Sequence, residues 1–341
     1  MDMENKEITI YDIAKALQIS ASTVSRGLND DNRVGKKTKN RILEAARSMQ
    51  YQRNIYANKL RSKHTNTLGV IIPRVNSYFM STVIAGMEKV ANERGYMLII
   101  SQSQESAKKE NSMIQTMFNS RVDGLLVSLA ADTRNLKHFN KVFDKNIPVI
   151  FFDRVVSHPN CATISIDNRK AGYDATSHLI EQGCKQIVFI GGNQNRNVYA
   201  DRLAGYQQAL IENGIEYDSS RILINGLTEQ DGMEAAKKIL KMDPMPDGIF
   251  ASNDASAVSC LSELTKAGIT IPEQIAIVGF NNDPVSRAVK PGLTTIEYPG
   301  FEMGEVSASN IIDAINRQTP GIFKSVMLNH NLIIRQSSKN G

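Results

Sequence analysis

Residues with the chemistry to read DNA lie together between positions 20 and 29. The segment 9–29, TIYDIAKALQISASTVSRGLN, contains two short helical patterns joined by a three-residue turn. Helical spacing in the second pattern predicts an outward face made of Ala21, Ser22, Arg26 and Asn29. Small residues beside an arginine suit a helix that enters a DNA groove, where the hydroxyls of Thr23 and Ser25 reach phosphate oxygens.

Capping residues are predicted to position this face. Thr9, with Asp12 three residues later, predicts a helix that ends near Leu17. Ser20 predicts the N-cap of the second helix. A third helix is predicted over 36–49, with an apolar stripe of Ile42, Leu43, Ala46 and Met49. The three helices are expected to enclose a small core of Ile13, Leu17, Ile19, Val24, Leu28, Val34, Ile42 and Ala46.

The positive charge of the chain is concentrated in this region. Residues 1–66 contain 13 Lys and Arg against 7 Asp and Glu, a net charge of +6, whereas the remaining residues contain 27 against 28. A small basic domain on a nearly neutral body is typical of a nucleic-acid-binding protein, because neutralised phosphates supply most of the sequence-independent affinity. The alternative, an ordinary two-helix corner of an α-rich protein, does not explain this distribution.

The polar and basic segment 51–67 is predicted to be a linker. It contains Asn54 as an N-cap candidate, followed by Ile55, Tyr56, Ala57 and Leu60. A segment of about ten residues does not hold itself helical in water, because helix nucleation is costly. Two interpretations remain open: a flexible tether, or a hinge helix that forms on DNA and inserts Leu60 into the minor groove as an apolar wedge.

Length and composition predict a globular protein of two or three domains. The chain has 341 residues, of which 41% are hydrophobic and 22% charged. Because it shows no apolar run of membrane-spanning length and no secretory signal, we expect a cytoplasmic protein without a membrane partner. Cys161, Cys184 and Cys260 form no CxxC pattern and the five histidines lack metal-ligand spacing, so we expect buried free thiols, no metal and no cofactor.

From position 68 onward, short apolar runs alternate with amphipathic helical patterns. The predicted strands are 68–72, 97–100, 124–127, 149–152, 163–166, 186–190, 222–224, 248–251 and 275–279. Such near-continuous apolar strands are typical of a parallel sheet with helices on both faces. The pattern is too long for one usual sheet and divides near 166–168, so we expect two doubly wound α/β subdomains.

Polar residues follow several of these strands. Ligands of open α/β sheets bind at the carboxyl ends of the strands, so a cleft between the two subdomains is expected to collect these side chains. The candidates are Asn76, Ser77, Phe79, Asp153, Arg154, Arg196, Arg202, Asn253, Asp254, Asn281, Asn282 and Asp283. Amides, carboxylates, guanidinium groups and an aromatic ring suit a hydroxyl-rich ligand such as a sugar, although each position alone also fits a cap or surface residue.

Three classes of function are compatible with this organisation. The first is a DNA-binding regulator controlled by a small molecule, the second a solute-binding component of a transport system, and the third an enzyme on a flavodoxin-like scaffold. The basic N-terminal domain and the missing export signal disfavour the second. The sequence shows no nucleophile motif, phosphate-binding loop or dinucleotide fingerprint, which disfavours the third.

These ordered motifs resemble those of the lac/gal repressor family (LacI/GalR) of bacterial transcription regulators, from Thr9 to about Arg335. Besides 9–29, the matching segments are NIYANKL, LGVIIP, RLAGYQQAL, ASNDASA, IPEQIAIVGFNND and LTTIEYPGFEMG. The resemblance implies a non-enzymatic homodimer with a three-helix DNA-binding domain, a hinge helix and a periplasmic-binding-protein-like core. It also implies that a small molecule bound in the cleft rotates the lobes and alters operator affinity.

The resemblance assigns roles by position. Base edges in the major groove would be contacted by Tyr11, Ala21, Ser22 and Arg26, with Ala21 and Ser22 setting operator preference. Phosphate contacts and register would depend on Ser20, Thr23, Ser25 and Asn29. In the hinge, the matching residues are Asn54, Ala57 and Leu60. In the cleft, the effector would contact Phe79, Asp153, Arg202, Asn253 and Asn281.

Several residues depart from the family pattern. Gly27 stands where valine or alanine is usual, and glycine inside a helix costs about 0.5–1 kcal/mol relative to alanine, which predicts a looser recognition helix. Arg53 and Asn58 replace the usual hinge proline and arginine, which predicts hinge ordering that is weaker or that depends on an added phosphate contact from Arg53. Asn281 replaces the usual aspartate and so removes a charge that often holds sugar hydroxyls. Because the chain has no tryptophan, ring stacking on a ligand must use Phe79 or another Phe or Tyr.

The predicted organisation is a helix-turn-helix domain over 1–50, a hinge linker over 51–67 and an effector-binding and dimerisation core over 68–341. Within the core, the N-subdomain is expected at about 68–166 and 294–325, and the C-subdomain at about 167–293 and 326–341. The expected function is a repressor of carbohydrate-use genes. Its affinity for a pseudo-palindromic double-stranded operator would be controlled by a sugar or sugar derivative.

Overall fold

The computed structural model describes residues 8–51, 64–316 and 325–339. These residues divide into two units, one within positions 1–63 and the other from position 64 onward. The hinge candidates Asn54, Ala57 and Leu60, with Arg53 and Asn58, lie outside the described residues. The hinge helix therefore stays a prediction.

The described part of the N-terminal unit consists of three helices: α1 (Ile10–Leu17), α2 (Ala21–Leu28) and α3 (Lys36–Ser48). Both expected caps are present. The Thr9 amide and hydroxyl donate to the Asp12 carboxylate at 2.8 and 2.6 Å. Ser20 Oγ accepts the Thr23 amide at 3.1 Å. These local contacts start each helix and so set the angle at which α2 follows α1.

The core of this unit is small and matches the expected one. Ile13, Val24 and Ile42 are fully buried, and the other expected core residues pack around them. Leu43 differs from the prediction, because it is 42% exposed rather than part of the buried stripe. Only a narrow face of α3 meets α1 and α2, and that face is filled by Ile42 and Ala46.

Gly27 lies where α2 and α3 approach each other. It is buried, and a methyl group added to its Cα would overlap the Cδ1 atom of Ile42, which is itself fully buried. We expected Gly27 to loosen the recognition helix. The structure gives it a packing role that sequence alone did not reveal, since the missing side chain makes room for Ile42.

The first lobe of the larger unit is built on a six-stranded, all-parallel sheet. Its strands are β1 (Thr67–Ile72), β2 (Met97–Gln102), β3 (Gly124–Val127), β4 (Val149–Phe152), β5 (Cys161–Ile166) and β11 (Val326–Leu328). Their order is β11-β5-β4-β3-β1-β2. Its helices are α4 (Tyr78–Glu93), α5 (Ala107–Asn119), α6 (Asn140–Asp144) and α12 (Gly300–Asn316).

The second lobe repeats this arrangement with one antiparallel edge strand. Its strands are β6 (Ile187–Gly191), β7 (Ile222–Ile224), β8 (Gly248–Ala251), β9 (Ala276–Asn281), β10 (Thr294–Glu297) and β12 (Asn331–Ile333). Their order is β12-β10-β9-β8-β6-β7, with only β12 antiparallel to its neighbour. Its helices are α7 (Asn168–Glu181), α8 (Asn197–Glu212), α9 (Glu229–Ile239), α10 (Asp254–Lys266) and α11 (Pro284–Ala288). Two doubly wound lobes were expected, and the fold class is confirmed.

The lobe boundaries differ from the predicted ones at two places. We placed 294–325 in the N-subdomain and 326–341 in the C-subdomain, but β10 lies in the second sheet and β11 in the first. The chain therefore crosses between lobes after β10 and again between β11 and β12. The reason is that β10, β11 and β12 are only three or four residues long, and β10 and β12 also carry polar residues, so their sequences gave no clear strand signal.

Edge strands also depart from the expected pattern of fully buried strands. β1, β3 and β4 are buried throughout, but β2 at the sheet edge exposes Met97, Ile99 and Ile100 by 62, 37 and 42%. An edge strand has a neighbour on one side only, so apolar residues there remain uncovered within one chain.

The cysteines behave as expected. Cys161, Cys184 and Cys260 are buried and free. Burial raises the pKa of each thiol to about 12, so all three stay protonated at neutral pH.

Among the described residues, no helix combines the length and apolarity needed to cross a bilayer.

Candidate DNA-reading surface and ligand cleft

The surface around α2 presents most of the side chains expected to contact DNA. Tyr11 is 71% exposed, and Ser22, Arg26 and Asn29 are exposed as well. Ala21 is an exception, because it is partly buried against the small core. Its place in the first turn of α2, beside the turn from α1, allows only part of the methyl group to face outward.

Hydroxyl groups at the start of α2 form hydrogen bonds with one another. Ser20 Oγ lies 2.8 Å from both Ser22 Oγ and Thr23 Oγ1, in addition to capping the helix. Ser20 itself is engaged within the protein, whereas Ser22 remains exposed beside it. The network fixes the first turn of α2 in one conformation, which lowers the entropy lost when this turn meets a partner.

Two basic side chains of this unit are neutralised internally. Arg33 pairs with Asp31 at 2.6 Å and Lys39 with Asp30 at 2.6 Å. The hydrogen bonds from Arg33 hold the pKa of Asp31 well below its usual range. Within the described residues, the basic groups left without an ion pair include Arg26, Lys36 and Lys37, and these are the ones free to neutralise phosphates.

A cavity of about 830 Å³ lies between the two lobes, at the carboxyl ends of their strands. All five residues expected to contact an effector line it: Phe79, Asp153, Arg202, Asn253 and Asn281. Of the other strand-end candidates, Asn76, Ser77, Arg154 and Asp283 also line the cavity. Arg196, Asp254 and Asn282 do not. The volume is within the range of roughly 300–1,000 Å³ that is usual for small-molecule sites.

Asp153 and Phe79 are both held by Tyr298. The Tyr298 hydroxyl donates to Asp153 Oδ1 at 2.9 Å, and Ser128 donates to Oδ2 at 3.1 Å. The Phe79 ring stacks on Tyr298 with centroids 4.2 Å apart. Burial raises the pKa of Asp153, and the opposing effects of Arg154 and of these hydrogen bonds are smaller. Tyr298 lies where the chain leaves β10 and crosses between the lobes.

Arg202 is buried in the second lobe with its guanidinium group engaged. It donates to Asn168 Oδ1 and to the Ser252 carbonyl, each at 2.9 Å, and lies 3.4 Å from the centroid of the Phe280 ring. Its position depends on Gly172, because a methyl group there would overlap the Arg202 backbone. The close packing of α7 on α8 thus brings this cation to the cavity wall.

Two asparagines that line the cleft, Asn253 and Asn281, also shape the protein around it. Asn253 caps α10 by accepting the Ser256 amide at 3.0 Å, and it donates to the Leu227 carbonyl at 2.8 Å. Asn281 has a φ of 113°, a conformation that few side-chain-bearing residues adopt. This strained backbone lies at the end of β9, where the chain turns into the loop whose residue Asp283 also lines the cavity.

Polar contacts join the lobes at one side of the cavity. Glu105 and Arg154 of the first lobe form a bidentate pair at 2.6 and 3.2 Å. Arg154 also donates to the Tyr199 hydroxyl of the second lobe at 3.2 Å. Asn197 of the second lobe accepts the Val155 amide at 2.9 Å. Changes in the lobe arrangement must break or rebuild these contacts.

The cleft residues that sequence reasoning missed include Tyr298, Tyr199, Glu105 and the segment 226–230. Tyr199 and Glu105 do not directly follow a strand, and 226–230 belongs to the loop after the short strand β7. Tyr298 follows β10, which had no strand signal of its own. A rule that looks only at the ends of obvious strands cannot find them.

Two carboxyl groups lie close together on the second lobe. Asp254 is fully buried and accepts the Thr295 hydroxyl and the Asp283 amide, each at 2.7 Å. Burial raises the pKa of Asp254 to about 8 and that of Asp283 to about 6. Within the part of the chain that the structure describes, no group of three or more His, Cys, Asp or Glu is placed to hold a metal ion.

Two families match this chain. Residues 9–54 match the lacI family of bacterial regulatory proteins, and residues 176–338 match the periplasmic binding protein-like domain. Catabolite control protein A of Priestia megaterium is 31% identical over 333 residues, which cover 97% of this chain and 99% of that protein.

Solved structures show the same fold. The lac repressor dimer bound to operator and the anti-inducer ONPF has a TM-score of 0.87 at 22% identity, covering 98% of this chain and 99% of that one. The complex of the transcriptional regulator CelR with cellobiose has a TM-score of 0.73 at 25% identity, covering 97% and 100%.

The fold, the DNA-reading surface and these similarities define a regulator rather than an enzyme. The chain belongs to the LacI family of transcription regulators, with a helix-turn-helix DNA-binding domain and a ligand-binding core. The family resemblance found in the sequence is thereby confirmed.

Proposed function

We propose that this regulator is a repressor of carbohydrate-use genes and that a sugar or sugar derivative in the cleft controls its operator affinity. The cavity of about 830 Å³, lined by Tyr298, Phe79 and Tyr199 together with amide and acidic side chains, carries this proposal. Aromatic faces and convergent hydrogen-bonding groups are what sugar rings and hydroxyls require. A relative is named for catabolite control, and a solved regulator of this fold holds cellobiose.

On DNA, the exposed side chains around α2 would read the operator. We propose base-edge contacts for Tyr11, Ala21, Ser22 and Arg26, and phosphate or positioning roles for Ser20, Thr23, Ser25 and Asn29. In the hinge, Asn54 would start a helix, Ala57 would allow close approach and Leu60 would act as the minor-groove wedge. A regulator of chromosomal DNA acts in the cytoplasm.

A homodimer is the assembly that suits this function. The lac repressor structure with the same fold is a dimer on its operator. The edge strand β2 offers exposed Met97, Ile99 and Ile100 to a second copy of this chain. We propose that two copies bring two recognition helices to a pseudo-palindromic site of roughly 16–20 base pairs.

Control by the ligand would act through the lobes. Residues of both lobes line the cavity, so a ligand that contacts both favours one lobe arrangement over the other. The cross-lobe contacts of Arg154 with Tyr199 and of Val155 with Asn197 would be the ones that change.

Footprinting on the upstream region of the protein's own gene cluster tests the DNA half of the proposal. We expect protection of one pseudo-palindromic site, and Leu60→Ala should weaken specific binding while leaving non-specific binding nearly intact. An unpaired half-site would contradict the dimer. Unchanged operator affinity in the Leu60 variant would contradict the hinge wedge.

A further inference from the structure

An unneutralised carboxyl group lies on the second-lobe wall of the cleft. Asp283 lines the cavity two residues beyond the end of β9, and none of the ion pairs within the described ranges includes it. Its Oδ1 atom is shielded from bulk water and has no hydrogen-bond partner among those residues. Burial raises the pKa of this carboxyl to about 6 and the Asn281 side chain lowers it in part, so Asp283 is ionised at neutral pH.

A second unpartnered oxygen lies at the end of the neighbouring strand. β8 and β9 pair in parallel, so Ser252, directly after β8, is at the same sheet edge as the residues that follow β9. Ser252 lines the cavity and is fully buried, and its Oγ has no hydrogen-bond partner in the described part of the chain. Burying a hydroxyl and one carboxylate oxygen without partners costs free energy in the unliganded protein.

The backbone, not these side chains, holds this part of the wall in place. The Asp283 amide donates to Asp254, and the Ser252 carbonyl accepts from Arg202. Asp283 precedes α11, yet its side chain caps no amide of that helix. Ser252 Oγ and Asp283 Oδ1 therefore make no hydrogen bond, among the described residues, that would offset their burial.

We propose that Asp283 and Ser252 form a subsite for one hydroxyl group of a neutral sugar, an inference that rests on the sugar-controlled function proposed above. A ligand hydroxyl can donate to Asp283 Oδ1 and accept from Ser252 Oγ, which gives both oxygens a partner. An ionised phosphate or carboxylate is repelled by Asp283 and has no proton to donate. The subsite thus selects a hydroxyl over an anionic group at this position, and it supplies the carboxylate that Asn281 does not provide.

Calorimetric titration of the full chain with matched probes tests the subsite. The probes are cellobiose, glucose with glucose 6-phosphate, and ribose with ribose 5-phosphate. The variants are Asp283→Asn and Ser252→Ala; the controls are Asp201→Asn on α8 and Ser177→Ala on α7, whose side chains do not line the cavity. For the neutral sugar that binds the wild type, we expect Asp283→Asn to lose about 10- to 100-fold in affinity and Ser252→Ala about 10-fold, with little change in the controls.

Melting of the unliganded variants separates binding from folding. Ser252→Ala removes an unpartnered buried hydroxyl, and Asp283→Asn removes the charge of a carboxylate that has one unpartnered oxygen. Both unliganded variants should therefore melt at or above the wild-type temperature. Lower melting temperatures for both would assign these side chains a structural role and overturn the subsite.

The binding outcomes distinguish the subsite from the broader function. If the wild type binds a neutral sugar and both variants bind it equally well, the subsite is wrong while sugar control stands. Tighter binding of the phosphorylated partner that becomes tighter still in Asp283→Asn would overturn the neutral subsite and leave control by a sugar derivative. Binding of none of the probes would contradict the sugar-controlled function, and the subsite with it.

Discussion

The DNA-reading surface and the ligand cleft use their polar side chains in opposite ways. On α2, Arg26 is exposed and forms no ion pair within the described residues, so it is available to DNA without rearrangement. In the cleft, Asp153, Arg202 and Asn253 already make hydrogen bonds inside the protein. A ligand that binds to these three side chains must therefore exchange contacts, whereas at Asp283 Oδ1 and Ser252 Oγ it can add them.

This difference suits a chain that combines a DNA-binding surface needing no rearrangement with a ligand cleft whose internal contacts change on binding. Under the proposed function, a ligand would replace contacts made by residues of both lobes and of the crossover, such as the bond from the Tyr298 hydroxyl to Asp153. Replacing them changes the relative free energies of the lobe arrangements, which is what coupling between two sites requires. The predictions below test each side of the comparison.

The largest effect is expected from a substitution in the small DNA-binding core. Gly27→Val would force atoms into the space of buried Ile42, and overpacking of this kind costs about 1–3 kcal/mol. Hydrogen exchange of the α2 and α3 amides in the full chain should show the loss of protection, and operator binding should fail while sugar binding persists. Gly35→Ala is the matched control, because a methyl group there meets no atom within 4 Å. Equal protection in the Gly27 variant and the wild type would contradict the packing role.

A loss of stability of similar size, here in the two-lobed unit, is expected from Tyr298→Phe. The substitution removes the donor to buried Asp153 Oδ1, and an unsatisfied buried acceptor costs about 1–3 kcal/mol. Urea unfolding of the core should show this loss. Tyr217→Phe, at a residue that is 39% exposed, is the control. Unchanged stability of Tyr298→Phe would mean that Asp153 is not held as described.

Arg26→Ala tests the exposed side of the comparison. We expect a loss of about 1–3 kcal/mol in operator affinity and a relaxed preference at one base pair. Lys37→Ala is the comparison, since loss of a phosphate contact weakens binding on every sequence and lowers the salt dependence. If Arg26→Ala also weakens binding to all DNA sequences equally, Arg26 contacts only phosphate.

The smallest effect concerns the pH dependence of core stability. Because the pKa of Asp254 is raised to about 8, the folded state keeps a proton that the unfolded chain releases above about pH 4. The stabilising contribution is complete below that pH and is lost as the pH rises through 8. Asp254→Asn should therefore gain stability relative to the wild type between pH 5 and 8, by a fraction of the ~1.4 kcal/mol per pH unit that one proton can contribute. Parallel stability curves for the two proteins would contradict the shift.

The sequence predicted the N-terminal unit better than the cleft, and the reason is physical. The caps at Thr9 and Ser20 and the core of Ile13, Val24 and Ile42 depend on residues a few positions apart, so spacing reveals them. Gly27 escaped this reasoning because its role depends on one methyl group of a different helix.

Sequence reasoning placed the right residues at the cleft but did not identify their hydrogen-bond partners. The strand-end rule placed Asp153 and Arg202 at the cavity, as the structure does. It could not show that Tyr298, 145 positions away from Asp153, donates to that carboxylate. Nor could it locate β10 and β11, whose pairing in opposite lobes depends on contacts that no local pattern records.

The most direct test is a titration of the full chain on its footprinted operator, with and without a saturating sugar that the calorimetric titration identifies, at one fixed salt concentration. If a ligand in the cleft controls the exposed surface on α2, operator affinity should change by about 5- to 150-fold when the sugar is bound. An operator affinity that is the same with the cleft filled and empty would contradict control by the ligand.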